Sequence, residues 1–456
     1  LFTVPAEAQW ECLYATYDAS NNGTGSNTPS VGVISEDMFV ALLMTPNIRN
    51  YMIPYVNADS ANGRVNFAGY GSGSTAVNAV FQFWTDGGFD QVEMRNAVKI
   101  VATPDSTIYV ASNDAERHIL IFKFTGDTVE TAAPYRRQPT GTNSIFGIAV
   151  DGNGYVYVSH DTTTGLTNDI KIYKPISQWS DAHNDQPVST VDLPDGIYRG
   201  IVTSPDGSTL FVSDFANRRI LKFTGSPTTG YVQDNNFQFQ LGEADTVAGT
   251  TQLPVPINLA YLASNNILFA AVDVHGYSSG THGTYTYGRI YLLNPFTGAL
   301  VSEDSSLSII DAARWNIQTM GTATNRGDGT LFGNASGYTS TYDVAFDEKG
   351  NLYTQSHFGW TVDKWRYNGT LPTVTKVEQI SGALPQSFEL GQNYPNPFNP
   401  VTTILFNLHE AGFVTLKVHD LLGREVATLA EESLKAGAYQ VKFDSRDLPG
   451  GTYFYT

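Results

Sequence analysis

Gly200-Ile201-Val202-Thr203-Ser204-Pro205-Asp206-Gly207, then Ser208-Thr209-Leu210-Phe211-Val212-Ser213-Asp214, then Asn217-Arg218-Arg219-Ile220-Leu221-Lys222-Phe223, closing at Thr224-Gly225, reads as three β-strands joined by two tight turns. The first strand is apolar, the second carries an aromatic residue and the third alternates, while Asp-Gly tolerates the positive φ of a twist-matched hairpin turn. The same succession recurs over residues 98–126. There Thr103-Pro104-Asp105 precedes Ile108-Tyr109-Val110-Ala111 and His118-Ile119-Leu120-Ile121-Phe122. It recurs again over residues 146–175, where Ala149-Val150-Asp151-Gly152-Asn153-Gly154 turns into Tyr155-Val156-Tyr157-Val158 and Ile170-Lys171-Ile172-Tyr173 follows. Weaker copies span 257–298, with Asn265-Asn266 as the turn, and 342–369, with Asp347-Glu348-Lys349-Gly350-Asn351. A degenerate first copy is expected over 38–88, where residues 64–68 and 79–84 alternate as half-buried strands do.

Self-similarity at a spacing of about fifty residues fits a four-stranded propeller blade and not a helical repeat. The expectation is an all-β chain: an N-terminal extension (1–30), a six-bladed β-propeller (31–371), and loop insertions around 277–287 and 302–338. Through Ser204-Pro205-Asp206-Gly207, Leu210-Phe211-Val212-Ser213-Asp214 and Asn217-Arg218-Arg219-Ile220, residues 30–370 resemble the NHL-repeat propellers and their gluconolactonase-like relatives. That resemblance speaks to fold more than to function. In the lactonase-like relatives a catalytic divalent metal sits in the central channel on acidic and amide side chains. No matching Glu, Asn and Asp set is recognised here, and the cofactor is left open, a divalent cation included.

Composition agrees with many short strands: of 456 residues 42 are Gly, 25 Tyr and 25 Phe, and only 15% are charged. The formal charge of -18 is spread along the chain, and no Lys/Arg cluster is dense enough to track phosphates, so nucleic acid is not an expected partner. Cys12 stands alone, so no internal disulfide is expected. No run approaches the ~20 apolar residues of a membrane-spanning helix. Leu1-Phe2-Thr3-Val4-Pro5 lacks the basic start of a signal peptide, and any export signal is expected to have been removed.

After Tyr367 the composition changes. Residues 372–384 read as a linker and 385–456 as a second domain, opening with a proline-rich loop at Asn393-Tyr394-Pro395-Asn396-Pro397-Phe398-Asn399-Pro400. Short alternating stretches at 403–408, 414–418, 425–429, 439–443 and 452–455 follow, which a small immunoglobulin-like β-sandwich would accommodate. Gln392 to Pro400, Asp420-Leu421-Leu422-Gly423-Arg424-Glu425-Val426 and Leu448-Pro449-Gly450-Gly451-Thr452-Tyr453 closely resemble the type A sorting domain of type IX secretion cargo. The resemblance implies the type IX export machinery as partner and a place outside the cell or on the outer surface of a Bacteroidetes- or Chlorobi-like bacterium. Such domains usually continue past Tyr453-Phe454-Tyr455, so a sandwich lacking its last strand is expected, open to strand addition from another copy.

Searches for H-E-x-x-H, G-x-S-x-G, a phosphate-cradling glycine loop and an EF-hand loop find nothing. His160, His275, His282 and His357 fall near strand ends or loops, where surface placement is the commoner reading. Asp214, Asn217 and Arg219 are assigned to turn and inter-blade bonding, and Arg326-Gly327-Asp328 to a glycine-rich loop. Two functional classes remain. The first is a non-enzymatic surface protein acting in binding or as a subunit of an extracellular assembly, such as a filament. The second is a secreted metal-dependent lactonase-like hydrolase or lyase with its site in the channel.

Overall fold

The computed structural model describes residues 10–15, 27–44, 50–56, 66–67, 80–85, 88–93, 97–113, 118–124, 129–131, 137–139, 144–161, 168–179, 185–240, 245–247, 250–252, 255–279, 283–302, 304–310, 341–356, 361–446 and 448–456. Six antiparallel sheets of four or five strands follow one another up to Tyr367. Their innermost strands are Asn27–Ser35, Ala97–Ala102, Ser144–Val150, Tyr198–Thr203, Val255–Leu262 and Thr341–Phe346. Each touches the next, and the sixth touches the first, so the sheets close into a β-propeller whose count fits the expected six.

Each sheet makes the same two local choices. The turn out of every inner strand holds one residue in the left-handed region: Asp37 (φ 56°), Ser106 (66°), Gly154 (85°), Gly207 (69°), Asn266 (53°) and Gly350 (77°). This is the conformation that Gly, Asn and Asp adopt at least cost. Every inner strand also carries a register shift near its start, between Asn27/Ser30, Ala97/Lys99, Ile145/Ile148, Tyr198/Ile201, Pro256/Asn258 and Thr341/Asp343. Bulges of this kind re-aim the strand and increase its twist.

The core is distributed as six apolar clusters, one at each boundary between neighbouring sheets. Aromatic residues of the second strands, Phe39, Tyr109, Tyr157, Phe211 and Tyr353, are buried in these boundaries. At about 1.5–3 kcal/mol for each fully buried large apolar side chain, the seams supply most of the driving force for closure. Where inner strands approach most closely there is no room for a side chain: a Cβ on Gly200 would lie 2.6 Å from both Asn258 Cα and Ile257 O.

Several boundaries differ from the sequence reading. Trp10–Ala15, assigned to an extension, pairs antiparallel with Thr361–Tyr367 and is the outer strand of the sixth sheet. The inner strand of the first sheet is Asn27–Ser35, ahead of the expected copy, and among the described residues Val80–Thr85 pairs with Gly88–Glu93 alone, in a separate hairpin. Residues 277–287, expected as a loop, belong mostly to a long hairpin in which Ile267–Ser279 pairs with Gly283–Leu293. Residues 311–340 lie outside the described residues.

The tail packs two sheets around Ile404, Phe406, Leu416, Val418, Tyr439 and Val441. One sheet has the order Val377–Ser381, Gly437–Asp444, Val401–Leu408, Glu389–Leu390; the other has Glu425–Leu434, Gly412–His419, Phe454–Tyr455. Val377–Ser381, inside the expected linker, is therefore an edge strand of the tail. The remaining connection is short and docked: Val374 is buried against the propeller, its N–H donates to Asn265 O (2.8 Å), and the Thr375 hydroxyl donates to Leu429 O (2.5 Å). A cleft of about 550 Å3 lies between the propeller turn at Ala263–Asn266 and the tail.

Candidate functional site: the channel, its rim and the tail motif

Inner strands line a narrow axial cavity of about 210 Å3 with side chains such as Ile148, Ile201, Val202, Leu259 and Val344. The one charged group in this lining is Lys99. Its ammonium meets the fully buried Asp343, whose carboxylate also accepts the Ser30 hydroxyl, Val31 N–H (3.1 Å) and Val344 N–H (2.9 Å). Asp343 thus ties together the inner strands of the first, second and sixth sheets. Two buried charges so fully matched leave no free lone pairs for a substrate, and their desolvation is offset only while both are present. Among the described residues no three His, Cys, Asp or Glu side chains gather as a metal ion would require.

The rim holds two groups of a different kind. His160 is fully buried at the end of Val156–Asp161; its Nδ1 lies 2.7 Å from Asp169 Oδ1, out of hydrogen-bond alignment, and its Nε2 meets no partner among the described residues. Arg199 lies in the bulge of Tyr198–Thr203, two residues before Ile201 enters the channel lining. The rings of Phe146 and Phe215 lie against its guanidinium, with centroids 4.5 and 5.2 Å from Cζ, and its Nε is buried without an acceptor among the described residues. A buried polar N–H left unpaired costs about 1–3 kcal/mol.

Other sites named from sequence fall into place as follows. Asp214 accepts Asn217 N–H (3.1 Å), Asn217 Nδ2 (2.8 Å) and Arg219 Nε (2.9 Å), all within one turn. His275 stands in Ile267–Ser279 opposite Tyr287. His282, His357 and Arg326-Gly327-Asp328 lie outside the described residues. At the opposite end of the inner strands Tyr157 donates to Asp151 Oδ2 (3.0 Å), and Tyr231, linked to Tyr157 at 2.9 Å, donates to Gly207 O (2.5 Å). Burial pushes the Asp151 carboxyl up against its hydrogen bonds, and pushes the Tyr231 hydroxyl up to about 12. Sequence reading missed Arg199, although a signal was there: aligning Ile145-Phe146-Gly147-Ile148 with Tyr198-Arg199-Gly200-Ile201 puts Arg where the preceding copy has Phe.

In the tail, Asn393 is the hub of the proline-rich loop. Its buried side chain donates to Thr402 Oγ1 (2.9 Å) and Pro395 O (3.3 Å) and accepts Asn396 Nδ2 (3.2 Å). Its N–H donates to the Tyr455 hydroxyl (2.8 Å), which donates to Gly391 O. The peptide bonds before Pro395, Pro397 and Pro400 are cis. Phe398 packs on Phe443, with centroids 5.9 Å apart, whereas Tyr394 is 81% exposed. The second motif is a turn: Asp420 Oδ1 accepts Leu422 N–H and Arg424 N–H, Oδ2 accepts Arg424 Nε (2.7 Å), and Gly423 sits at φ 77°.

Residues 392–456 match the family described as "Secretion system C-terminal sorting domain", a match that implies handling by a secretion machinery. No curated protein matches the chain. Among solved structures it is similar to the WD40 β-propeller domain of Doa1 (10% identity, TM-score 0.40, 78% of this chain and 97% of that one). It is also similar to the Myceliophteria thermophila Cps50 (Swd1) β-propeller domain (11% identity, TM-score 0.41, 78% and 99%). A third similar structure is PorZ, a surface component of the type IX secretion system of Porphyromonas gingivalis (11% identity, TM-score 0.37, 93% and 48%). The chain is a β-propeller that carries a secretion system C-terminal sorting domain.

Proposed function

We propose that this is a type IX secretion cargo whose propeller works outside the cell or on its surface as a non-enzymatic recognition disc or as a subunit of an extracellular assembly. The sorting-domain match carries the reading. Its loop motif is held by the Asn393 network, while Tyr394 and the Asp420–Arg424 turn stay accessible to an export receptor. The channel supports a structural role for the disc, because Lys99 and Asp343 satisfy each other across three sheets.

The test is export from a bacterium with a working type IX system, comparing the full chain with one ending at Lys376, which keeps Val374 in its seat. The full chain is expected in the medium or on the surface and the shortened chain in the periplasm. Equal export of both would overturn the reading. Electron microscopy of the exported protein then separates the roles: ordered arrays support an assembly subunit, and single discs support a recognition module.

A further inference from the structure

We propose that the rim between the third and fourth sheets is a binding site for a carboxylate, taken in plane by the Arg199 guanidinium; this goes beyond the export reading and can fail independently of it. Three observations carry it. First, Arg199 differs from five other cations drawn into the fold. Lys99, Lys174, Lys222, Lys364 and Arg219 each meet an Asp or Glu, whereas Arg199 meets no acid and its Nε no acceptor among the described residues. With 44 acidic residues against 26 basic ones, a carboxylate was the easiest partner for this chain to supply. Second, the guanidinium rests against two aromatic rings, Phe146 and Phe215, which hold the cation but accept no conventional hydrogen bond, so its N–H donors are left for another partner. Third, the clamp sits where Tyr198–Thr203 enters the channel, on strands held by buried seams, so the fork is oriented before a ligand arrives.

A guanidinium presents two parallel N–H donors, the pattern that matches a planar carboxylate with a pair of hydrogen bonds. One fork with one positive charge suits a monoanion. Phosphate, near two negative charges, would need a second cation in a chain of net charge -18. The ligand class is therefore a molecule bearing a single carboxylate, either an acidic sugar or a peptide C-terminus.

Titration of the full chain with galacturonate, N-acetylglycine and inorganic phosphate, followed by calorimetry, tests this. Saturable binding of at least one carboxylate, stronger than phosphate, is expected; which of the two binds more tightly distinguishes sugar from peptide. Arg199→Gln should weaken it at least about tenfold, as loss of a charge-assisted pair does. Arg199→Lys, charged but without the fork, should fail to restore it. Should the variants misfold, the wild-type protein still decides: the carboxylate should slow arginine-specific dicarbonyl labelling at Arg199, read by mass spectrometry. No saturable carboxylate binding, tighter binding of phosphate, unchanged binding by a folded Arg199→Gln protein, or labelling indifferent to the ligand would each overturn the proposal.

Discussion

At the scale of the residue, Lys99 and Asp343 show how a propeller uses a charge in its axis. Replacing Lys99 by Met removes the cation and leaves a fully buried carboxylate with neutral donors alone. The expected loss is about 3–5 kcal/mol in urea denaturation, with much of it recovered in Lys99→Met/Asp343→Asn. The turn aspartates act more locally. The Ser204 hydroxyl, and after it the Ser208 N–H, hold the Asp206 carboxyl below its usual range. A depressed carboxyl contributes stability above the ordinary aspartate value of about 4 and loses it as the pH falls through the depressed one. Denaturation of the wild type and Asp206→Ala should therefore differ at neutral pH and converge toward about pH 2. These aspartates were legible because Asp-Gly announces its turn. Asp37 and Ser106 adopt the same left-handed φ without glycine, and the pairing of Lys99 with Asp343 joins residues 244 apart, which no local pattern encodes.

At the scale of the element, the strand Trp10–Ala15 is the least expected and the most consequential. It covers the outer edge of Thr361–Tyr367, Trp10 Nε1 donates to Leu307 O (3.0 Å), and its ring packs on Phe269 and Tyr367. Deleting residues 1–15 exposes a row of unpaired N–H and C=O groups. The shortened protein should melt several degrees lower and show concentration-dependent association in light scattering; an unchanged melt would remove the strand from the closure. The central copies were legible because period-two alternation, aromatic second strands and Asp-Gly turns coincide there. The first copy was misframed for a physical reason: alternation marks Val80–Thr85 as a half-buried strand but does not say which sheet receives it. Val377–Ser381 escaped notice because an edge strand with mostly exposed side chains reads like a linker.

At the scale of the whole molecule, six interfaces hold six sheets, and the seam between the last and the first is built differently. Lys364 bonds Asp37 (2.8 Å), Lys349 pairs with Glu36, and Asp37 N–H donates to the Tyr353 hydroxyl (2.8 Å). The ring and the tail were both legible, each from a repeated or extended motif. The chemistry of the rim was not, because a single Phe-to-Arg change between two copies gains meaning only once the neighbouring aromatic groups are in place. The pairing of Trp10 with Tyr367 also sets an order of events in time. Five sheets can form from contiguous sequence as the chain appears, whereas the sixth waits for its first-made strand to find its last-made neighbours, a loop closure over nearly the whole propeller. Ring completion is therefore expected to be the slow step of folding. It also falls just before the tail in sequence, so a chain long enough to be addressed for export is already long enough to have shut its ring.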